Sequence, residues 1–397
     1  MTTPSLPLKQ PFTAQQPAPV PLLDVNRQNQ PLRDEILAAI TEVVDSGAFL
    51  KGPAVRQLEA EVAQMCGVDH AVGCASGSDA LLVALMALEI GPGDEVILPS
   101  FTFFATAGAV TRLGATPVFA DILPDTFNID PADIARRITP ATKAIIPVHL
   151  FGQSADMDAI GAIAADHGLT VIEDAAQSIG ASYHGQPIGS LGRIGCISFY
   201  PTKNLGGMGD GGMVTTNDAE LADKMRVLCD HGQEPRYYHH YVGLNSRLDT
   251  IQAAALRVKV PKLAGYAEAR TRHAARYDAA FAGTAVDAVM TTPTEAHGCP
   301  SVWNQYTVRV EQGRRDSLQQ WLTERKIGSA IYYPVPLHLQ KCFANLGYRR
   351  GDLPHTERAA DEVLSLPIFP ELTYEEQGRV IEAVKAYAAA ATVRRAA

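Results

Sequence analysis

The chain has 397 residues, of which 46% are hydrophobic and 19% charged, and this is an ordinary globular composition. Lys and Arg number 34 against 43 Asp and Glu, so the net charge is −9, and the sequence contains no dense basic run. This balance argues against nucleic acid or an anionic membrane as a main partner, and we expect neither. No apolar run approaches the ~18 residues that a membrane-spanning helix needs.

The N-terminal segment and the cysteines indicate the compartment of the protein. Residues 1–20 are rich in Pro and Gln and lack the apolar region of a signal peptide, which predicts a disordered leader. The six cysteines show no C-x-x-C spacing and no pairing suited to zinc, so we expect buried thiols in a reducing compartment and no metal site. These features predict a cytoplasmic protein.

From about residue 76 to 231, helix-like and strand-like segments alternate. The pattern predicts helices in "SDALLVALMALEI", "PADIARRI" and "DMDAIGAIAADHG", and strands in "DEVILPS", "ATPVFADI", "ATKAIIPVHL" and "LTVIEDAAQ". Such alternation is typical of βαβ units and of a mostly parallel sheet that is covered on both faces. We therefore expect ligands at the carboxyl ends of the strands.

The sequence after "NSRLDTIQAAALRVKV" has a different organisation. A long helix rich in Ala and Arg is predicted to about residue 282, followed by a strand in "WNQYTVRV", a helix in "RDSLQQWLTERKI", the proline-rich loop "YYPVPLHLQ" and a final helix. We therefore predict a large α/β domain over residues 21–270 and a smaller α+β domain over residues 271–397.

The segment "FYPTKNLGGMGDGG", residues 199–212, places Lys203 before a run of glycines. A P-loop needs its lysine after the glycines, so this order argues against a phosphate-binding loop of that kind. Gly207, Gly209 and Gly212 match G-x-G-x-x-G, but the "MVTTND" that follows is strand-like, which argues against a dinucleotide fold. From this segment alone, an exposed lysine in a flexible turn remains an alternative.

Two further features lie near predicted strand and helix ends. Asp174 ends the buried strand "TVIED", and Gly77 and Ser78 begin a helix whose free N–H groups attract an anion. Each alone has a structural explanation, such as a helix cap. Together with Lys203 they suit pyridoxal phosphate (PLP), because the phosphate, the ring nitrogen and the aldehyde carbon each find a partner.

The ordered motifs resemble the DegT/DnrJ/EryC1/StrS sugar aminotransferases from about residue 21 to 385. Matching segments include "PSFTFFATAGAV", "PVHLFGQSADMD", "EDAAQSIGASYHG", "GCISFYPTKNLGGMGDGGMVTTND" and "VGLNSRLDTIQAAAL". The resemblance implies a PLP-dependent transferase of fold type I, a homodimer that transaminates a nucleotide-linked keto sugar with L-glutamate as donor. Relatives that dehydrate sugars carry histidine at the lysine position, and this chain keeps Lys203.

The resemblance also implies roles for the matching residues. Lys203 would form the Schiff base with PLP, Asp174 would pair with the pyridine nitrogen, and Gln177 would lie near the phenolic oxygen. Phe103 would stack on the ring. The residues implied at the phosphate are Ser198, Gly77, Ser78 and, from a neighbouring subunit, Asn245.

The substrate is less closely indicated. "VGLNSRLDTIQAA" resembles the branch that aminates C-3, and "HGQEPRYYHHY" is most similar to enzymes of UDP-2-acetamido-3-keto-glucuronate, which we take as the favoured substrate. Arg247 would pair with the uronate carboxylate, or would anchor its own loop whatever the sugar. A dTDP-3-keto-6-deoxyhexose is the alternative substrate, and a non-catalytic PLP-binding regulator is the alternative of another class.

The remaining candidates are polar groups in two loops. The resemblance places substrate contacts at Tyr332, Tyr333 and His338, although the tyrosines could instead pack between domains. Three histidines close together in sequence could be metal ligands, but no carboxylate or thiolate lies at a fitting spacing. We therefore interpret them as polar groups of the substrate loop. They are His231, His239 and His240.

Overall fold

The structure is a computed structural model that describes residues 18–311 and 313–396, with side chains as far as Thr392. Most of the predicted leader, residues 1–17, lies outside the described residues. Val20, which was also assigned to the leader, is buried and pairs with the segment around Ile327. Its N–H donates to the Lys326 carbonyl at 2.9 Å and its carbonyl accepts from Gly328 N at 2.8 Å. Val20 is therefore part of the packed structure.

The helices agree with the sequence pattern where their ends carry capping residues. Helix α7 begins after Asp156, which accepts a hydrogen bond from Ala159 N at 3.1 Å, and ends at Gly168 in the left-handed conformation, as predicted. The α-helices of the described residues are α1 Val25–Asn29, α2 Arg33–Ser46, α3 Pro53–Cys66, α4 Gly77–Ala87, α5 Phe104–Arg112, α6 Pro131–Arg137, α7 Met157–His167, α8 Ala219–Cys229, α9 Thr250–Lys259, α10 Leu263–Phe281, α11 Arg315–Glu324, α12 Pro354–Glu362 and α13 Tyr374–Ala396.

The strands are short and mostly buried. They are β1 His70–Cys74, β2 Glu95–Pro99, β3 Thr116–Ala120, β4 Thr142–Ile145, β5 Thr170–Asp174, β6 Ser182–Tyr183, β7 Gln186–Pro187, β8 Ile194–Ser198, β9 Gly212–Thr216, β10 Met290–Thr291, β11 Tyr306–Val310 and β12 Val363–Leu366. The four strands predicted between residues 94 and 177 are β2 to β5, each shorter than its sequence segment.

Seven strands form the large sheet in the order β1-β9-β8-β5-β4-β2-β3. Neighbours from β8 to β3 pair in parallel, whereas β9 is antiparallel to both β8 and β1. Six strands therefore run in one direction and β9 in the other. This mostly parallel sheet confirms the predicted α/β fold class.

The two faces of the large sheet form two separate hydrophobic cores. Successive side chains of β2 point to opposite faces, so Ile97 packs with α3, α6, α7 and α9, and Val96 and Leu98 pack with α4, α5 and α8. Burial on both faces explains why these strands are continuous apolar runs in the sequence. The carboxyl ends of β4, β5 and β8 are consequently held at one edge between two helical layers.

The C-terminal part has a core of its own. Strands β10, β11 and β12 form an antiparallel sheet that packs against α10, α11 and α13 around Tyr277 and Tyr306. Helix α10 continues through residue 270, the predicted domain boundary, so that position stays a prediction. Among the described helices, none is both long enough and apolar enough to cross a bilayer.

Candidate active site

The carboxyl ends of β5 and β8 open onto a cavity of about 650 Å³. The structure brings together here nine of the residues singled out in the sequence, from both halves of the chain. They are Gly77, Ser78, Phe103, Asp174, Gln177, Ser198, Lys203, Tyr332 and Tyr333.

Lys203 enters the cavity from the turn that follows β8. Its backbone N–H donates to the Tyr200 carbonyl at 2.8 Å, which fixes the turn, and its side chain is partly buried. Burial lowers the pKa of Lys203 to about 8, and the nearby Asp174 carboxylate opposes that shift. A lysine with this pKa is partly a neutral amine near neutral pH, and a neutral amine is a nucleophile.

Asp174 lies at the end of β5 and is only 5% exposed. Its Oδ2 accepts a hydrogen bond from Thr106 Oγ1 at 2.8 Å, and its Oδ1 accepts from Ala176 N at 3.2 Å. Burial raises the pKa of the Asp174 carboxyl, against the effect of these donors and of Lys203. A buried carboxylate that lacks a full ion pair is suited to a cationic ring nitrogen.

Gln177 connects Asp174's strand end to the tyrosine loop. Its Oε1 accepts a hydrogen bond from Phe151 N at 2.7 Å, and its Nε2 donates to the Tyr333 hydroxyl at 3.1 Å, so the amide orientation is defined. Burial raises the pKa of Tyr333, which therefore stays a neutral phenol. The Tyr333 ring lies 6.3 Å from that of Phe103, whose side chain is 57% exposed at the cavity. Phe103 thus offers an accessible aromatic face.

The part of the cavity lined by the start of α4 is suited to an anion. Helix α4 begins at Gly77 after Ser76, whose hydroxyl accepts a hydrogen bond from Asp79 N at 3.1 Å. The first N–H groups of a helix have no partner within the helix and attract an anion. A Cβ on Gly77 would lie 2.5 Å from Ser198 Cβ, so only glycine allows β8 to approach this helix end. Ser198, Gly77 and Ser78 therefore line one small polar recess.

These groups fit PLP. A helix N-terminus, a buried carboxylate, an amine with a lowered pKa and an exposed aromatic ring line the same cavity, and each matches one part of that cofactor.

Asn245 and Arg247 do not line the Lys203 cavity. Arg247 lines a second cavity of about 730 Å³, where its Nη1 donates to Asp230 Oδ1 at 2.8 Å and its Nη2 donates to Asn245 Oδ1 at 2.5 Å. Lys51 Nζ is paired with the same Asp230 carboxylate. The two predicted residues are therefore held together, but away from Lys203 of their own chain.

His338 does not line the cavity either, so its role as a substrate contact stays a prediction. The side chain is 1% exposed, and both ring nitrogens already have partners. Nδ1 lies 2.7 Å from Ser100 Oγ and Nε2 lies 3.2 Å from Glu357 Oε1. Burial lowers the pKa of His338, with Glu357 opposing. The histidine joins the end of β2 to α12.

The histidines of the 231–241 loop bind the loop itself. His239 Nδ1 lies 2.9 Å from the His231 carbonyl oxygen, and His240 Nε2 lies 2.5 Å from the Glu234 carbonyl oxygen. Within the described residues no cluster of His, Cys, Asp or Glu is arranged to hold a metal ion.

Several cavity residues were not singled out in the sequence. Thr106 is fully buried behind Asp174, and it lies in "PSFTFFATAGAV", the segment from which only Phe103 was taken. Its position three residues after Phe103, on the first turn of a helix, was the available signal. Thr106 does not itself line the cavity, and the lining residues that were not singled out include Tyr200, Thr202, Asp210 and Gln305.

Comparison with known proteins agrees with this geometry. The sequence model of the DegT/DnrJ/EryC1/StrS aminotransferase family matches residues 30–385. A pleiotropic regulatory protein of Geobacillus stearothermophilus is 54% identical over 92% of this chain and 97% of its own length. A UDP-N-acetyl-3-dehydro-alpha-D-glucosamine 3-aminotransferase of Acidithiobacillus ferrooxidans is 50% identical, with the same two coverages.

Solved structures show the same fold. DesV of S. venezuelae, in complex with a ketimine intermediate, superimposes with a TM-score of 0.90 at 46% identity, covering 93% of this chain and 98% of DesV. A Bacillus subtilis protein, NtdA, with bound cofactor PMP superimposes with a TM-score of 0.88 at 34% identity, covering 94% and 85% of the two chains. The fold, the cavity and the matched residues lead to one conclusion. This chain is a PLP-dependent enzyme that belongs to the DegT/DnrJ/EryC1/StrS aminotransferase family.

Proposed function

We propose that this enzyme transfers an amino group from L-glutamate to C-3 of a nucleotide-linked 3-keto sugar, and that the sugar is UDP-2-acetamido-3-keto-glucuronate. The observation that carries the reaction type is the single cavity in which Lys203, Asp174 and the start of α4 face one another. The name of the 50% identical relative supports amination at C-3 of a UDP-linked 2-acetamido sugar.

The proposed roles follow from the contacts. When bound, PLP supplies the electron sink that stabilises negative charge at the reacting carbon. Asp174, held by Thr106 and Ala176 N, keeps the ring nitrogen protonated. Lys203 Nζ would hold the cofactor by its aldehyde carbon and, as a free amine in the same cavity, would be placed to take and return the proton of the reacting carbon. Its pKa of about 8 suits both giving and taking that proton.

The outer wall of the cavity would hold the sugar. Tyr332 is partly buried, and its ring lies 5.9 Å from that of Tyr333, so the two tyrosines form a continuous wall beside Phe103. Gln305 also lines the cavity, and its Oε1 already accepts a hydrogen bond from Asn304 Nδ2 at 2.7 Å. Its Nε2 is consequently oriented to donate to an acceptor on the sugar.

The proposed enzyme is a homodimer whose two chains share each site. Arg247, which binds Asn245, lines a polar cavity that also contains Lys51, whereas Lys203 is the only Lys or Arg among the described residues that lines its own cavity. Large apolar side chains are exposed in the segments around the second cavity, including Leu50 at 49%, Tyr238 at 68% and Val242 at 93%. Such exposure is expected of a surface that a second chain covers.

In this proposal, Arg247 recognises the carboxylate at C-6 of the sugar. Arg247 and Lys51 share one carboxylate, Asp230, so the pair of cations retains a net positive charge. Arg247 Nε is buried and has no hydrogen-bond partner among the described residues. Nη1 and Nη2 each carry a second hydrogen and the side chain is partly exposed, so these two nitrogens are the donors suited to a further carboxylate, such as that of a uronate.

A regulatory protein that binds PLP without turnover is a second candidate, because the relative at 54% identity is named as a regulatory protein. The presence of both Lys203 and Asp174 in one cavity favours the enzyme, since a sensor needs neither the lowered lysine pKa nor a partner for the ring nitrogen.

One experiment separates these candidates. The PLP-loaded protein is incubated with 2-oxoglutarate and each of three amino sugars: a UDP-2-acetamido-3-amino-glucuronate, its neutral glucose analogue and a dTDP-3-amino-6-deoxyhexose. Glutamate formation should have the highest kcat/KM with the uronate and be absent in Lys203→Ala. Turnover of only the neutral or deoxy sugar would reject the uronate, and bound PLP without turnover of any sugar would favour the regulator.

A further inference from the structure

A second lysine lies behind the Lys203 turn, and the proposed chemistry does not use it. Lys259, the last residue of α9, is 1% exposed, and its Nζ donates a hydrogen bond to the Gly206 carbonyl at 2.7 Å. No carboxylate of the described residues forms an ion pair with it. Burial lowers the pKa of Lys259 to about 8, and the Glu371 carboxylate, which does not form an ion pair with it, opposes that shift.

Gly206 closes the turn that carries Lys203. A Cβ on Gly206 would clash with the carbonyl oxygen of Pro201, so the two ends of the turn are in direct contact. Within the turn, Lys203 N donates to the Tyr200 carbonyl at 2.8 Å. Because the turn is short and closed, a displacement of Gly206 must move Lys203.

Helix α9 holds this turn and the residues after it at two points. Besides Lys259, Gln252 accepts a hydrogen bond from Met208 N at 2.8 Å through its Oε1. Residues 252 and 259 are seven positions apart, so both side chains lie on the same face of α9, two helical turns from each other. Helix α9 therefore accepts a hydrogen bond from this segment through Gln252 and donates one to it through Lys259.

We propose that Lys259 is a positioning residue for Lys203. Its ammonium holds the Gly206 carbonyl and, through the closed turn, sets the place from which Lys203 Nζ meets the cofactor aldehyde. The inference rests on the proposed role of Lys203. Lys259 does not line the cavity, so it acts through the backbone of the turn and not on cofactor or substrate.

Two binding measurements on the apo protein separate positioning from general damage. Pyridoxamine phosphate has no aldehyde, so its dissociation constant reports the cavity without the lysine bond. Trapping of PLP with borohydride measures how fast the cofactor attaches to Lys203. The reagent reduces the carbon–nitrogen double bond that Nζ forms with the aldehyde on loss of water, and the cofactor then stays on the Lys203 peptide for mass spectrometry.

Lys259→Met keeps the length of the side chain and removes the donor. We expect attachment of PLP to Lys203 to slow by about 10-fold or more, because small displacements of a reacting group cost large factors in rate. The dissociation constant of pyridoxamine phosphate should change by less than about 3-fold, since the carboxylate and the helix end are untouched. If Lys259→Met does not fold, Lys259→Gln, which is shorter and uncharged, is measured in the same way.

Tyr277→Phe is the matched control. Tyr277 is fully buried and its hydroxyl donates to the Pro367 carbonyl at 2.9 Å, so this change also leaves a buried carbonyl without its side-chain donor, far from the turn. It should lower the melting temperature without slowing PLP attachment. Absence of PLP on Lys203 in the unmodified protein would overturn the proposed function itself. Two results would overturn this inference alone, provided that PLP attaches normally to Lys203 of the unmodified protein. One is an unchanged rate of PLP attachment in the Lys259 variant. The other is a loss of pyridoxamine phosphate affinity as large as the loss of attachment rate.

Discussion

Thr106 Oγ1 donates a 2.8 Å hydrogen bond to Asp174 Oδ2, and both side chains are buried. The bond connects the first turn of α5 to the end of β5, across 68 residues of sequence. It leaves the carboxylate oriented by two donors, Thr106 and Ala176 N, before any cofactor binds. The site is therefore preorganised for a ring cation by the protein alone.

Thr106→Val should weaken the site without removing any group that contacts the cofactor. A hydrogen bond to a charged acceptor is worth about 1.5–3 kcal/mol, so we expect kcat/KM to fall by roughly 10- to 150-fold. Thr106→Ser keeps the hydroxyl and serves as the control. Steady-state kinetics of both variants make the measurement, and a valine variant as active as the serine variant would show that Thr106 does not orient Asp174.

Asp174→Asn should lower activity and raise the stability of the apo protein. Asparagine cannot keep the ring nitrogen protonated, and loss of such electrostatic stabilisation costs on the order of 10²-fold or more in rate. Because burial raises the pKa of Asp174, the folded apo protein holds this proton more tightly than the unfolded chain does. Its contribution to stability is complete at low pH and is lost as pH rises through the raised pKa.

Melting temperatures of the two apo proteins across pH test that second effect. The gain from Asp174→Asn should be larger at pH 8 than at pH 4, since only an ionised Asp174 destabilises the folded state. Wild-type rates in the asparagine variant, or a gain that is independent of pH, would contradict the account.

The pH dependence of cofactor attachment should report the lowered pKa of Lys203. Only the neutral amine attacks an aldehyde, so the rate of borohydride trapping of PLP on Lys203 should rise with pH and level off above a midpoint near 8. Exposed lysines should still gain reactivity toward pH 10. Peptide mapping separates the two classes, and Lys203→Ala supplies the background. A midpoint at the ordinary lysine value would show that the amine is solvated.

The elements of the large sheet were predictable because their signal is local. An apolar run between turn residues specifies β5, and Asp156 with Gly168 marks both ends of α7. Helices α2 and α3 were not predicted, although buried apolar residues recur on one face of each of them. The fold class could be predicted without these two helices, because the elements of the large sheet were enough to indicate it.

The site residues that could be predicted from the sequence are those that lie at the end of a predicted strand or helix. Asp174 is the last residue of β5 and Lys203 lies in the turn after β8, so a parallel sheet brings them to the same edge. The burial of His338 depends on Ser100 and Glu357, which lie at distant positions in sequence, and no local pattern could report those contacts. The contact of Thr106 with Asp174 is equally distant in sequence, and only the place of Thr106 on the first turn of α5 after Phe103 could have indicated it.

Shared sites predict complementation between two inactive variants. Lys203→Ala removes the reactive amine, and Asn245→Asp keeps an acceptor for Arg247 but would place a carboxylate beside the phosphate if Asn245 reaches the partner's cavity. If Asn245 serves the partner's cavity, a mixed dimer contains one site with both residues intact. Co-expression in equal amounts should therefore restore about one quarter of wild-type activity. Sedimentation that shows a fully active monomer, or mixing that restores nothing, would reject the shared site.

The last prediction concerns the sugar and separates two roles of Arg247. If its guanidinium binds a C-6 carboxylate, Arg247→Gln removes a charge-assisted bond worth about 1.5–3 kcal/mol, or roughly 10- to 150-fold in kcat/KM for the uronate. The 6-deoxy sugar has no carboxylate and should lose little. If Arg247 only anchors its loop through Asp230, both sugars should suffer alike.

Lys51→Met is the matched control, because Lys51 pairs with the same Asp230 carboxylate and its loss disturbs that ion pair without removing the guanidinium. We expect Lys51→Met to lower kcat/KM for the uronate by less than Arg247→Gln does, because it removes the net charge of the pair but leaves the guanidinium in place. The measurement is kcat/KM of each variant relative to the unmodified enzyme, with a 3-amino uronate and with a 3-amino-6-deoxyhexose, each with 2-oxoglutarate as acceptor. The two variants and two sugars give four ratios. Equal losses on both sugars in Arg247→Gln would reject a carboxylate site at Arg247 and would place the neutral and deoxy sugars ahead of the uronate as substrates.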